Sequence, residues 1–284
     1  MRDPECNYHL RLVESRMLEL VNDDTCAEVG RIAAAHLCAG GSRVRARLAL
    51  AASAALELPQ EFAVSIATAC ELLHNASLVH DDLQDRDALR RGRLAIWREH
   101  DDATAICVGD LFLSAAYASV AACGGAASDL LIRMHTRVSA VIRGQAADLR
   151  LRGATTTLDD YEQVAAGKSG PLLSLPMELA LLLAREDQYL PSAIRAGELF
   201  AVGYQVMDDL DDVDRDAVHE ELNVVRVLIA SGSPEPFMAA QALALTHFQQ
   251  ARAVALTLPR GSGTLLADYA AQRAQALQPL RVSA

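Results

Sequence analysis

The chain has 284 residues, 51% of them hydrophobic, which suits one large domain or two small ones and excludes disordered and fibrous classes. Its formal net charge of -11, with no block of lysine and arginine, argues against a nucleic-acid binder. That acidity also conflicts with a small anionic substrate, unless divalent cations bridge acidic side chains to phosphate oxygens.

Ala, Leu, Glu and Arg dominate, aromatic residues make up only 4%, and sheet-type alternation is scarce, so an almost entirely helical protein is expected. In chain order, Met1 to Leu10 is polar and acidic, unlike a signal peptide. Gly40, Gly41 and Ser42 interrupt the second helical stretch. Pro59 precedes a run that continues through Asp85, and Gly92 marks a break after Arg90 and Arg91. Asp101 to Leu131 reads as helix with an interruption at Gly124 and Gly125, and Leu130 to Leu151 as the next long helix. Thr155 to Asp159 reads as a loop and cap. Gly170 and Pro171 are expected to bend or interrupt the run from Leu158, and Pro191 to open the stretch toward Asp212. Ser231 to Pro236 and Pro259 to Gly263 read as turns. No break is long enough for a linker, so a single domain over residues 1–284 is the expectation.

Cys6, Cys26, Cys38, Cys70, Cys107 and Cys123 are scattered without a CxxC pair, which predicts buried free thiols in a reducing compartment. No stretch reaches about 18 uninterrupted apolar residues. The expectation is a soluble cytoplasmic protein without stable membrane insertion.

Two acidic clusters carry the chemistry. Asp81, Asp82 and Asp85 end an apolar approach from Ile66 to Val79; Asp208, Asp209 and Asp212 repeat that spacing after Leu199 to Met207. On a helix the first and last carboxylate of each cluster lie one above the other. A single such run could be a solvated helix end. Two copies after apolar approaches point instead to cation binding, because like charges at this spacing repel. Magnesium suits them, since it uses few carboxylates together with waters and phosphate oxygens. Two facing clusters would clamp one diphosphate and neutralise it as it leaves.

Basic residues fit the same chemistry. Lys168 is the only lysine, beside a glycine-containing break. Arg90 and Arg91 follow the first cluster, and Arg43 and Arg45 follow the Gly40–Gly41 break; arginine can fork around phosphate oxygens. His74 lies two turns before Asp81, and Gln205 three residues before Asp208. Solvated basic helix ends are the plainer alternative for the arginines.

Over about residues 30 to 230 the chain resembles the trans-isoprenyl (polyprenyl) diphosphate synthases, as an atypical member. GSRVRA at Gly41–Ala46 is similar to the family's GKRxRP element, and HNASLVHDDLQDRDALRRG to its first aspartate-rich region. GQAADL at Gly144–Leu149, KSG at Lys168–Gly170 and GYQVMDDLDD follow in the family's order. The resemblance implies an all-α, isoprenoid synthase-type helical bundle around a central cavity, in a homodimer. It implies magnesium, three ions per active site, held by Asp81, Asp82, Asp85, Asp208, Asp209 and Asp212. Arg90, Lys168 and Gln205 would hold an allylic diphosphate, and Arg43, His74 and Arg91 isopentenyl diphosphate, with Arg45 a further candidate for either diphosphate. The reaction implied is ionisation, attack by the acceptor double bond, and proton loss to the leaving diphosphate, giving a linear polyprenyl diphosphate.

Three departures bear on the acceptor. Ser42 stands where a lysine is expected, Ala46 replaces proline, and the segment after Asp212 lacks the expected lysines, with Arg215, Arg226 and Asn223 as stand-ins. An atypical prenyltransferase with another acceptor, a class I terpene cyclase, and a non-catalytic partner subunit are the alternatives. Small residues at Ala76 and Ser77, before Asp81, favour products of C20 or longer, with Leu72 and Leu73, or Phe112 and Tyr117, as possible floors.

Overall fold

The computed structural model describes residues 4–22, 27–219 and 221–277, without the side chains of residues 4–7, 214, 215 and 217–219. Cys26 and the side chains of Cys6 and Arg215 therefore lie outside the described residues. Twelve α-helices make up almost all of the described chain, as composition predicts. The chain falls into two compact units. One runs to Met134 and includes Leu182–Ala184; the other holds His135–Leu181 and Arg185 onward.

The first unit is built from α1 (Pro4–Val21), α2 (Ala27–Cys38), α3 (Val44–Ala55), α4 (Gln60–Asp85), α5 (Ile96–Glu99) and α6 (Asp102–Ala121). In α4, Ile66 through Leu73 is buried without a break, so this helix forms the unit's centre and not an amphipathic wall. Val13, Met17, Leu37, Leu48 and Phe112 pack into the same core. The α6 helix starts as its sequence demands: Asp101 accepts a hydrogen bond from the Thr104 N–H at 2.6 Å. That bond also lowers the Asp101 carboxyl pKa.

Between α4 and α5 lies a hairpin that helical periodicity does not reveal. Strands β1 (Leu89–Arg90) and β2 (Arg93–Leu94) pair antiparallel, Leu89 opposite Leu94 and Arg90 opposite Arg93. Arg91 and Gly92 form the turn with φ of 54° and 76°. Positive φ at both central residues is what a two-residue hairpin with right-twisted strands requires.

The second unit contains most of α7 (Ala127–Leu151), then α8 (Leu158–Leu183), α9 (Leu190–His219), α10 (Val224–Ala230), α11 (Pro236–Ala255) and α12 (Thr264–Ala276). Buried positions on α11, Ala240, Ala244, Phe248, Ala251 and Ala255, recur every three or four residues. Gly203 of α9 lets that helix approach Phe248: a Cβ there would lie 3.1 Å from the ring. Glu178, fully buried, is held by Arg137 at 2.9 Å and Ser174 at 2.6 Å.

The expected break at Gly170 and Pro171 does not occur. The α8 helix runs through Pro171 and Pro176 to Leu183. Gly170 lies against the Glu198 backbone of α9, where a Cβ would come within 3.1 Å of its Cα, and both prolines are buried. Tertiary packing thus overrides an intrinsic penalty of about 3 kcal/mol for proline in a helix interior. The Thr155–Asp159 expectation resolves into a cap at Thr157, whose hydroxyl and backbone N–H both engage Asp160.

Cys38, Cys70, Cys107 and Cys123 carry free thiols, but only Cys70 and Cys123 are buried; Cys38 and Cys107 are exposed. The α4 and α6 helices are long and apolar enough to cross a membrane by length and composition, with 67% and 44% of their apolar windows buried inside the protein.

Candidate active site

The first aspartate cluster occupies the last turns of α4. Asp82 is only 2% exposed, and Arg90 of β1 holds it through both Nε, at 2.8 Å, and Nη2. Burial pushes the Asp82 carboxyl up while Arg90 pulls it back. Asp87 adds a second carboxylate to Arg90 at 3.8 Å. Asp81 and Asp85 remain half-exposed on the neighbouring face, one turn apart. The helix ends at Arg86, whose φ of 58° turns the chain out and whose N–H returns to the Asp82 carbonyl. Asp82 thus ties the helix end to the hairpin, and that tie fixes where Asp81 and Asp85 point.

The second cluster repeats this division of labour with different partners. Asp209 on α9 is 2% exposed and accepts three hydrogen bonds: from the Tyr161 hydroxyl at 2.8 Å, Gln205 Nε2 at 2.8 Å and the Val224 N–H at 2.7 Å. Burial nevertheless pushes its carboxyl up to about 7, against the downward pull of those donors. Asn223 completes the knot by donating to the Asp209 carbonyl at 2.9 Å and to the buried Asp216 carboxylate at 2.8 Å. Its own Oδ1 caps α10 by accepting from the Val225 N–H. Asp208 and Asp212 are half-exposed one turn apart, as Asp81 and Asp85 are.

Lys168 on α8 reaches Asp148 of α7 at 3.0 Å. The two helices meet here at a glycine pair. A Cβ on Gly144 would fall 2.4 Å from the Gly167 carbonyl carbon and 2.6 Å from the Lys168 nitrogen. The glycine of GQAADL is therefore required by close backbone approach, whereas a Cβ on Gly167 would make only ordinary contact with Gly144, at 3.5 Å.

The arginines after Gly40–Gly41 separate into two environments. Arg43 adopts a left-handed φ of 51° and is 7% exposed. Its guanidinium donates to the Leu37 carbonyl at 2.7 Å, meets Glu14 at 3.2 Å and lies 3.8 Å from Glu71, which is 1% exposed. Glu71 also accepts from the Ala46 N–H at 3.2 Å. These bonds pin the junction of α2 and α3 to α4. Arg45 lies on the first turn of α3, half-exposed, and is among the charges that hold His74 neutral, after burial itself. Arg91 packs its guanidinium over Gly41, where a Cβ would lie 3.0 Å away, and donates to the Gly40 carbonyl. Ser42 is exposed. Arg226 donates to the carbonyls of Asp216 and Glu221 at 3.3 and 3.1 Å.

Along α4, Ser77 lies one turn below Asp81 on the same face, with Leu73 a turn deeper. Ala76 and Leu73 are buried, and the Ser77 hydroxyl donates to the His74 carbonyl at 2.9 Å.

Tyr161 and Asp148 were not singled out from the sequence. Asp148 lies inside GQAADL, so its motif was visible. Tyr161 carried no local signal, because it meets Asp209 across 48 residues of chain.

Among the described residues, no three side chains of metal-binding type gather at one point. The carboxylate pairs still fit a hard divalent cation, which binds through one or two carboxylates, with water and phosphate completing the shell.

An all-α protein bearing two aspartate clusters on helix faces is the class these observations define. A family model described as "Polyprenyl synthetase" matches residues 28–223, so the chain belongs to the polyprenyl synthetase family. A (2E,6E)-farnesyl diphosphate synthase of Mycobacterium tuberculosis is 35% identical over 60% of this chain and 48% of its own length. The match thus spans about half of that relative. A decaprenyl diphosphate synthase from Rhodobacter capsulatus superposes with a TM-score of 0.85 over 96% of this chain and 97% of its own, at 20% identity. A polyprenyl synthase from Caulobacter crescentus, crystallised with calcium and isoprenyl diphosphate, gives 0.83 over 93% and 94%, at 19% identity. At such identities the structures establish the fold alone.

Proposed function

We propose that this protein is a magnesium-dependent prenyltransferase that condenses an allylic diphosphate with isopentenyl diphosphate into a linear polyprenyl diphosphate of C20 or longer. One observation carries the reading: in each aspartate motif the middle carboxylate is locked inward, Asp82 by Arg90 and Asp209 by Tyr161, Gln205 and Val224. The outer pairs, Asp81 with Asp85 and Asp208 with Asp212, are thereby left at one-turn spacing on half-exposed faces. Such pairs suit magnesium, which when bound would neutralise charge developing on a departing diphosphate.

The chain's own residues have distinct parts in this reading. The outer aspartates supply the metal ligands, while Asp82 and Asp209 fix the helix faces that carry them. Lys168, set by Asp148, offers an ammonium to the donor diphosphate. Arg45, Arg91 and His74 face the second diphosphate. The apolar wall of α4 below Asp81 excludes water from an ionised allyl group. The small side chains of Ser77 and Ala76, in place of an aromatic ring just before Asp81, support longer products. A homodimer and a cytoplasmic location belong to the same reading.

Exposed Ser42 favours one second reading, a terpene cyclase or a transferase with a different acceptor. The experiment is incubation with magnesium and dimethylallyl, geranyl or farnesyl diphosphate, each with and without isopentenyl diphosphate, followed by mass spectrometry. Extension in five-carbon steps only with isopentenyl diphosphate is expected. Hydrocarbon or alcohol from the allylic diphosphate alone would establish a cyclase instead, and no turnover in any mixture would point to a different acceptor.

A further inference from the structure

Between α2, the hairpin and α5 lies a cavity of about 320 Å³. Arg90, Arg91 and Arg93 face it from the hairpin, and Arg31 from α2. Four arginines on one hollow run against the trend of a chain whose formal net charge is -11.

The hairpin register concentrates that charge. Arg93 lies directly opposite Arg90, with Arg91 in the turn between them. Like charges directly opposite on paired strands repel, so the arrangement calls for compensation. Arg90 has it: its Nε donates to Asp82 at 2.8 Å, and Asp87 lies 3.8 Å away. Arg91 donates to the Gly40 carbonyl, and neither Arg91 nor Arg93 forms an ion pair among the described residues. Burial first, then Arg91, hold the imidazole of His36 on α2 down to about 4, so the Arg91 charge is felt across the same wall. Arg31 commits only its Nε, to the Ala27 carbonyl at 3.0 Å. Glu28 and Glu99 also line the cavity but pair with none of these arginines among the described residues. They lower the local charge without occupying a guanidinium donor.

The cavity is also placed for the reaction. Arg90 lines it while holding Asp82 of the first aspartate motif, and Arg91 lines it while packing over Gly41. It therefore adjoins both that motif and the Gly41–Ser42 segment, where the exposed Ser42 brings no charge. Guanidinium groups with free N–H forks fit a ligand rich in anionic oxygens, since each fork can donate two parallel bonds. Building on the condensation reading above, we propose that Arg93 and Arg31 bind the diphosphate of the second substrate and set its selectivity, supplying the charge that Ser42 does not. Arg91 holds the same group from the turn. A monophosphate would leave one of these guanidinium groups unpaired, and a neutral acceptor all of them. The cavity thus selects an acceptor that carries a diphosphate.

Metal-free binding by the full chain tests this. Inorganic diphosphate is titrated by calorimetry in EDTA, so that the aspartate motifs cannot hold it through magnesium. Arg93→Gln and Arg31→Gln should each weaken binding about tenfold, the loss of one charge-assisted pair. Arg93→Lys keeps the charge but loses the fork, and should fall between. Because Arg93 repels Arg90, Arg93→Gln should leave the denaturation midpoint unchanged or raise it, whereas loss of a structural arginine would lower it. In the elongation assay each glutamine variant should raise KM for isopentenyl diphosphate about tenfold, with kcat and the allylic KM within about twofold. Ser42→Lys, beside Gly41 and Arg91, should recover much of that KM in Arg93→Gln. Unchanged diphosphate affinity in both glutamine variants, no diphosphate binding in EDTA, or equal rises in the two substrate KM values would overturn the proposal. Absence of elongation by the wild type would sink the condensation reading, while the metal-free titration would still decide whether these arginines form an anion site.

Discussion

Replacing Arg43 separates a structural role from a substrate-binding one. Arg43→Ala removes the 2.7 Å bond to the Leu37 carbonyl and takes away the cation beside Glu71, which is 1% exposed. Leaving one charge of a buried pair uncompensated costs about 3–5 kcal/mol. The left-handed φ of 51° is retained in alanine, so no strain is relieved to offset this loss. Arg43→Gly accepts that φ and should recover about 1 kcal/mol of it. Pairing Arg43→Met with Glu71→Gln removes both charges together and should cost clearly less than the sum of the two single changes. Urea denaturation followed by far-UV circular dichroism measures these differences, with the KM for isopentenyl diphosphate taken on the same preparations. Arg45→Ala is the contrast: it should raise that KM while leaving the denaturation midpoint nearly unchanged. If Arg43→Ala left stability within about 1 kcal/mol of wild type, the scale of an ordinary surface change, and raised KM tenfold, the inward role assigned to Arg43 would be wrong.

Three further outcomes follow from the same geometry. His36, depressed to about 4, binds fewer protons folded than unfolded between pH 4 and its usual 6.5, so its contribution to stability is lost as pH falls through that range. Asp209, raised to about 7, binds more protons folded, so its contribution is lost as pH rises from about 4 toward 7. The two slopes oppose each other in wild type; metal-free pH titrations of denaturant midpoint should show His36→Gln losing less on acidification and Asp209→Asn losing less on alkalinisation, and parallel curves would contradict both assignments. Ser77→Phe places a ring one turn below Asp81 and should shorten the prenyl products, read by liquid chromatography and mass spectrometry; an unchanged product length would place the floor elsewhere. Gly144→Ala puts a methyl 2.4 Å from the Gly167 carbonyl carbon, so it should cost about 1–3 kcal/mol and lower activity by displacing Lys168, while Gly125→Ala, with nothing within 4 Å, should do neither.

Much of the local structure follows from sequence alone, because its causes are local. Helix-forming composition and proline and glycine punctuation place α4 and the starts of α9 and α11. The Thr157 cap and the repeated aspartate spacing are equally short-range. The spacing also determines that Asp81 stacks on Asp85 and Asp208 on Asp212, since helical geometry requires only the register.

Which carboxylate faces inward was settled by tertiary packing. Asp81 and Asp82 are adjacent and chemically identical, and only the return of Arg90 on the hairpin distinguishes them. Asp209 differs from Asp208 because Tyr161 and Val224 converge on it from distant parts of the chain. Arg43 and Arg45 look equivalent in GSRVRA, yet burial of Glu71 on another helix draws only Arg43 inward. Pro171 reads as a breaker, and packing of α8 against α9 outweighs that local preference. Tyr161, Glu71 and α9 are remote in sequence from the residues they settle, and Arg90, though only eight residues from Asp82, reaches it through a hairpin that helical periodicity does not reveal.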